Sequence, residues 1–284
     1  MSSSPQSPKV LLITGTSSGI GLAAAVSAAR AGWTTIATLR DPSRSDALRQ
    51  AAAEAGVELD IRRLDVTDET SITSAIEGVL ADYGHLDAVV NNAGAGHLGT
   101  LENESVAEVR KVMEVNFFGV LNVSKAAMPH LRASGGRLIT VTSVGGVIGQ
   151  PFNEAYCAAK FAVEGYMESL APVAAAHGVS VSVIEPGAVA TAFVANAGVD
   201  LEEAVADAGP YAPQLNAYLN RMTSQFLNGA QTAEAAAESV MEALTANEPA
   251  FRLQTSDWAR GFVGTKLTDL DGSAVLGTTT DWIA

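Results

Sequence analysis

Residues 9–21 read KVLLITGTSSGIG. An apolar run from Lys9 to Thr14 passes through a glycine-rich turn into an Ala-rich helical pattern over Gly19 to Ala31. The first N–H groups of such a helix have no intrahelical partner, and the positive end of the helix dipole lies behind them. That arrangement suits a phosphate. Gly15 allows a tight turn, Gly19 lets a pyrophosphate approach the backbone, and Gly21 permits close packing of the helix. Thr16, Ser17, Ser18 and Ile20 complete the candidate loop. The spacing is G-x-x-x-G-x-G rather than the commoner G-x-G-x-x-G. An ordinary Gly-rich turn has the same composition. The position between a strand and a helix, in the first such unit, points instead to a dinucleotide.

The same alternation continues outward. Strand-like runs fall at Trp33–Leu39, Val57–Leu64, Leu86–Asn91, Gly136–Ser143, Val179–Glu185 and Ala250–Gln254. Helical patterns separate them at Ser45–Ala55, Ser71–Tyr83, Val106–Ala133 (interrupted near Asn116 to Gly119) and Glu154–His177. Near-continuous apolar strands with intervening helices predict a parallel sheet covered on both faces. Right-handed crossovers then make it an α/β, Rossmann-like, doubly wound sheet of about seven strands. No internal repeat or clear linker divides the chain, so residues 1–284 read as one dinucleotide-binding domain. Met1 to Pro8 is a Ser/Pro-rich lead-in, expected to be disordered. Residues 188–229 break the alternation and are too long for simple wiring, as a substrate lid would be.

Composition excludes several functions. The net charge of −14 disfavours nucleic acid and anionic membrane surfaces. No stretch approaches the ~20 apolar residues of a membrane helix, and the N-terminus lacks the pattern of a signal peptide. Cys157 is the one cysteine, so an internal disulfide and a zinc site of cysteines are both excluded. A reducing, cytoplasmic setting is the expectation.

The remaining candidates lie at strand ends. The second strand ends in Leu39-Arg40. An acidic residue there would bind ribose hydroxyls, whereas Arg40 can pair with a 2′-phosphate, which favours NADP(H) over NAD(H). The alternative is a solvated arginine, and the neighbouring Asp41 weighs against the phosphate. Asp65 can accept from an adenine amino group while Val66 packs on the ring; the alternative is a capping Asp, a role also open to Asp68. Asn91-Asn92-Ala93-Gly94 follows the fourth strand, with small residues that let a cofactor pass, or with only a turn. Tyr156 and Lys160 share a helix face. An ammonium there is expected to favour phenolate and lower the Tyr156 pKa. The pairing alone is common in helices. Ser143 adds to it by lying near the carboxyl end of the fifth strand, where ligands bind in such sheets.

These pieces resemble the short-chain dehydrogenases/reductases of the single-domain branch. The matching segments are TGTSSGIG at 14–21, DV at 65–66, NNAG at 91–94, Asn116, Ser143, YCAAK at 156–160 and PGAVAT at 186–191, covering residues 9 to 191 closely. The resemblance implies Tyr156 as general acid in carbonyl reduction. It implies Lys160 as ligand of the nicotinamide ribose, Ser143 as orienter of the carbonyl and Asn116 as holder of a relay water. Pro186, Gly187, Val189 and Thr191 would hold the nicotinamide end. The ATLR and YCA-x-KFA-x-EG segments are similar to hydroxysteroid and retinol dehydrogenases, which use NADP(H). Many NADP(H) members carry a basic residue where this chain has Ser18, so the phosphate would rest on Arg40 with Ser17 and Ser18. The family also implies a homodimer or homotetramer through the long helices.

The substrate expected from these features is an apolar ketone, aldehyde or alcohol. Tyr211, Leu215, Tyr218, Leu219, Met222 and Phe226 form an apolar stripe at helical spacing, which is core packing first and a lid second. His97, Leu98, Val144, Phe152 and Asn153 are further pocket candidates. A non-catalytic NADP(H) sensor is the alternative, though a sensor has no use for Asn116, Ser143, Tyr156 and Lys160 together. A nucleotide-sugar epimerase of the extended branch fits neither the loop spacing nor the short C-terminal region.

Overall fold

The computed structural model describes residues 8–191 and 200–284, apart from the side chains of 226–228. The expected lead-in, except Pro8, lies outside the described residues. So do residues 192–199 of the expected lid and the side chain of Phe226.

Seven strands form one parallel sheet: β1 (Val10–Thr14), β2 (Thr34–Leu39), β3 (Asp60–Arg63), β4 (Ala88–Asn91), β5 (Arg137–Val141), β6 (Ser180–Glu185) and β7 (Arg252–Gln254). Their order is β3-β2-β1-β4-β5-β6-β7. The direction of winding therefore reverses between β1 and β4, which pair from Leu11–Ala88 to Ile13–Val90. A crevice opens at the carboxyl ends of two strands that diverge in this way.

Alternate residues of each strand feed two cores, because side chains point to opposite faces with period two. Val10, Leu12, Ile36, Val89, Leu138 and Val183 face α3 (Glu69–Tyr83), α5 (Gly119–Ser134) and α6 (Glu154–Ala175) through Ile76, Val79, Val123, Leu131, Val163 and Met167. Leu11, Ile13, Ala37, Val90, Ile139 and Ile184 face α1 (Gly19–Arg30), α2 (Asp46–Ala55) and α9 (Ala233–Thr245). Alanines Ala24, Ala25 and Ala28 of α1 and Ala237 and Ala243 of α9 keep that second layer thin. Each fully buried Leu or Ile contributes about 1.5–3 kcal/mol.

Helix ends follow the sequence. Asp68 caps α3 by accepting from the Ser71 N–H at 3.1 Å. Ser105 and Glu108 form a reciprocal capping box on α4 (Val106–Met113). Between α4 and α5, residues Glu114–Phe118 widen into a π-turn, where the sequence pattern places an interruption.

Several boundaries differ from expectation. β3 is shorter than the 57–64 run because it is an edge strand that pairs only with β2. β5 ends at Val141, so Ser143 sits in a short 3-10 turn beyond the strand. The insertion carries α7 (Leu201–Asp207) and α8 (Ala212–Gly229). The C-terminal region adds α9, α10 (Asp257–Thr268) and α11 (Ser273–Thr280), none of which the periodicity reading assigns.

Candidate active site

The glycine loop is shaped by what it must avoid. Gly15 has φ +71°, and a Cβ there would sit 2.7 Å from Ala93 Cα. A Cβ on Gly21 would collide with Asn92 Nδ2 and Gly15 O. Gly19 has φ +62°, and its Cβ would meet the Thr191 side chain at 3.2 Å. Asn92 Nδ2 donates to the carbonyls of Thr14 and Gly15, each at 2.9 Å, and Thr14 Oγ1 accepts from the N–H of Asn92 and of Ala93 at 3.0 Å. The loops after β1 and β4 are thereby fastened across the switch point. Ser18 starts α1 with its hydroxyl not spent on capping the helix. This cradle, open along the start of α1 and walled by glycines where side chains would intrude, fits a dinucleotide.

Thr16 plays another part in it. Its N–H and its hydroxyl both donate to Thr38 O, at 3.0 and 3.1 Å. It ties the loop to β2 and has neither donor left for a phosphate.

Arg40 is exposed at the end of β2 and has no hydrogen-bond or ion-pair partner among the described residues. Asp41 beside it feels its charge but forms no ion pair with it. The Asp41 carboxylate accepts from the Ser43 N–H at 3.0 Å and the Ser43 hydroxyl at 2.7 Å, and these bonds hold its pKa below the usual value. Asp65 Oδ1 accepts from Thr67 N and Oγ1 at 3.0 and 2.8 Å, so it shapes a turn while Asp68 caps the helix. Val66 is buried against Gly119, where a Cβ would approach its Cγ2 to 2.7 Å.

Tyr156 lies in the first turn of α6, half-buried, and hydrogen-bonds with Ser143. Ser143 Oγ also accepts from the Gly145 N–H at 2.9 Å. Lys160 is buried one turn on. Its Nζ donates to Val141 O at 3.1 Å and lies 5.8 Å from the Tyr156 ring centre. Asn116 is fully buried in the π-turn and exchanges two bonds with Ala95: Nδ2 to Ala95 O at 3.0 Å and Ala95 N to Oδ1 at 3.1 Å. Gly94 stands between these groups, for a Cβ on it would meet Asn116 Oδ1 at 2.9 Å and Lys160 Nζ at 3.7 Å.

The expected lowering of the Tyr156 pKa is corrected here. Burial raises it above the ordinary phenol value, and the bond from Ser143 offsets only part of that. Burial pushes Lys160 down to about 8. Desolvation disfavours whichever form is charged, so it acts on the two groups in opposite directions.

Pro186 O accepts from the Val144 N–H at 2.9 Å, which holds the 186–191 segment beside Ser143. Gly187 lies under the Trp258 ring of α10, where a Cβ would come within 3.0 Å. Val189 is bridged to Gln231. The α8 stripe is core packing: Leu215 and Tyr218 are buried, with Tyr211, Leu219 and Met222 against Phe152, Leu98 and Trp282. Tyr218 accepts from Asn153 Nδ2 at 2.9 Å. Phe152 takes the left-handed conformation, φ +58°, to reach this cluster. Val144 packs instead against Ala259 and Val263. His97 Nε2 lies 2.5 Å from Glu104 Oε2, an ion-pair geometry that holds the loop rather than facing Tyr156. A cavity of about 410 Å³ lies between Phe152, Glu154, Tyr211, Gln214 and Ile283. None of the Tyr156 cluster lines it.

Residues missed by the sequence reading include Trp258 and the buried Glu164. The latter was signalled by the four-residue series Tyr156, Lys160, Glu164, Glu168 on one face of α6. Trp258 carried no local signal, since its partner Gly187 is far away in the chain.

A strand–loop–helix cradle, a switch-point crevice and a Ser-Tyr-Lys cluster at its mouth define a nicotinamide-dependent oxidoreductase of the doubly wound class. Residues 9–202 match the short chain dehydrogenase family, and the chain belongs to it. Over 279 residues it is 34% identical to retinol dehydrogenase 8 of Bos taurus, spanning 95% of this chain and 89% of that one. Over 256 residues it is 41% identical to 17-beta-hydroxysteroid dehydrogenase type 1 of Mus musculus, spanning 86% and 73%. Among solved structures, an alcohol dehydrogenase from the archaeon Thermococcus sibiricus, complexed with 5-hydroxy-NADP, is 27% identical with a TM-score of 0.70, over 87% of this chain and 95% of that one. A short-chain dehydrogenase/reductase from Burkholderia phymatum in complex with NAD shares the fold at 23% identity and a TM-score of 0.79, over 93% and 94%. No helix among the described residues is long and apolar enough to cross a membrane.

Proposed function

We propose that this chain interconverts a ketone or aldehyde with its alcohol on an apolar substrate, using NADP(H), with Tyr156 as the proton donor in reduction. The observation that carries the reading is the cluster in which Ser143 bonds Tyr156, Lys160 lies one turn on from Tyr156, and Gly94 stands between Lys160 and Asn116. When bound, the cofactor supplies or accepts a hydride. The chain's own groups manage the charge that follows. Ser143 holds the carbonyl oxygen, and Tyr156 gives its proton to the alkoxide that develops there. Lys160 binds the nicotinamide ribose and offsets charge on the phenolate left behind. Asn116, which turns its carboxamide to the loop after β4, holds the water that returns a proton.

Arg40 supports NADP(H), being exposed and without an ion-pair partner among the described residues, with Leu39 where an acidic residue would favour NAD(H). Gly15, Gly19, Gly21 and the loop residues Ser17, Ser18 and Ile20 would cradle the pyrophosphate, with Thr16 fastening the loop to β2 instead of binding the phosphate. Asp65 and Val66 would hold the adenine, Asn92, Ala93 and Gly94 the nicotinamide ribose side. Pro186, Gly187, Val189 and Thr191 would hold the nicotinamide. The apolar substrate is supported by relatives named for retinol and a hydroxysteroid. The reading treats the chain as one domain whose 188–229 segment covers the substrate. Exposed Phe118, Phe161, Tyr166 and Val173 on neighbouring helices support a homodimer or homotetramer. A cytoplasmic setting completes the reading.

The test is Tyr156→Phe, assayed by NADPH oxidation with a panel of ketones. Turnover should fall to background while NADPH fluorescence still reports binding. Near-wild-type turnover would overturn the mechanism.

A further inference from the structure

Beyond Lys160 along α6 lies a cluster of charges built on buried Glu164 and Glu185. Glu164 is one helical turn beyond Lys160 and 4% exposed. Its Oε1 accepts from the Thr142 hydroxyl at 2.5 Å, and its Oε2 lies 3.3 Å from Arg252 Nε. The same Nε lies 3.2 Å from Oε1 of Glu185, which is fully buried. Arg252 Nη2 reaches Glu168 at 2.9 Å, and Gln254 Nε2 donates to Glu185 Oε2 at 2.9 Å. One guanidinium thus serves three carboxylates.

We propose that Glu164 is a positioning residue for the proton relay: its carboxylate anchors Thr142, and through it Ser143, and its charge, one helical turn from Lys160 and not in contact with it, favours the ammonium. The proposal rests on the reading of Tyr156 and Lys160 above. Three observations carry it. The spacing Tyr156, Lys160, Glu164 aligns the three along α6. Thr142 adjoins Ser143 and donates to both Glu164 Oε1 and, at 2.9 Å, Ile184 O. A Cβ on Gly146 would meet Glu164 Cγ at 3.0 Å, so the turn carrying Ser143 is packed directly on this side chain.

The groups facing Glu164 are few. Arg252 on β7 pairs with it and Glu185 on β6 acts on it, it acts in turn on Lys160, and Glu168 on α6 shares only the Arg252 guanidinium. The charged residues of α4 and the π-turn, Glu108, Arg110, Lys111 and Glu114, are exposed, and the Ser143 turn carries none. Burial pushes Lys160 down to about 8, and Glu164 acts against that push. Burial raises Glu164 itself to about 7.

The experiment is a ¹³C NMR titration of lysine ε-carbons in wild type, Glu164→Gln, Glu164→Asp and Glu168→Gln, with Lys160→Met assigning the resonance. It runs beside pH–rate profiles for NADPH with retinal and with estrone. Glu164→Gln should lower the Lys160 titration by roughly one pH unit or more. The alkaline limb of reduction should move acidward by the same amount, and rates should converge below pH 6, where Glu164 is neutral in wild type. Glu164→Asp should restore most of the limb, and Glu168→Gln should leave it in place. Thr142→Val removes the bond that favours the Glu164 carboxylate and should move the same limb, which serves if Glu164→Gln does not fold. An unmoved Lys160 titration, or a moved titration with an unmoved limb, overturns the proposal. Turnover by Tyr156→Phe would instead remove the underlying site reading and leave the NMR shift standing.

Discussion

Asn116 and Ala95 bind each other twice, the carboxamide Nδ2 donating to Ala95 O at 3.0 Å and the Ala95 N–H donating to Oδ1 at 3.1 Å. A third bond, from Nδ2 to Val112 O at 3.1 Å, holds the side chain against its own helix. Val112 lies just ahead of the π-turn at Glu114–Phe118, in which Asn116 sits. One side chain joins the helix bulge to the loop that follows β4.

Asn116→Leu should therefore lose both activity and stability. It leaves the amide of Ala95 and two carbonyls without partners in a buried place. Each unmet group costs about 1–3 kcal/mol. Calorimetry should show a clearly lower Tm, and an unchanged Tm would mean that the loop finds other partners.

Arg40→Ala should raise KM for NADPH while KM for NADH stays near its wild-type value. A charge-assisted contact with the 2′-phosphate is worth on the order of tenfold in affinity or more. Equal effects on the two cofactors would assign Arg40 to the surface.

Phe152 offers a test of backbone strain. At φ +58° an L-residue is disfavoured by roughly 1–2 kcal/mol, and glycine is not. Phe152→Ala should destabilise by about 3–5 kcal/mol through loss of the side chain packed on Tyr218. Phe152→Gly should be more stable than Phe152→Ala, the reverse of the usual order. Urea unfolding of the two variants reads the sign directly.

The buried Glu164 gives a pH dependence of stability. Its folded pKa of about 7 lies above its ordinary value of 4.5. The folded state then binds more protons than the unfolded state between these limits, so its contribution is greatest below pH 4.5 and is lost as pH rises through 7. Relative to Glu164→Gln, wild type should lose on the order of 3 kcal/mol across that window. Parallel curves for the two proteins would show that Glu164 does not titrate there.

Local pattern was enough to place the glycine loop, the strand order class and the Tyr156–Lys160 pair, because strand alternation, helix spacing and turn glycines are short-range constraints. It was not enough for Ser143, whose strand ends two residues early, or for Thr16, whose donors go to Thr38 across the loop. The three helices after residue 232 had no motif to mark them.

By itself the sequence determined a parallel, doubly wound sheet with a phosphate loop after its first strand, since the order of apolar runs and glycines admits little else. Only the tertiary structure decided the electrostatics. The sign of the Tyr156 shift, the place of Lys160 against Val141 and the charge cluster of Glu164, Glu185 and Arg252 depend on burial and on contacts up to 88 residues apart in the chain. Desolvation is a property of the packed environment, and no spacing along a helix encodes it.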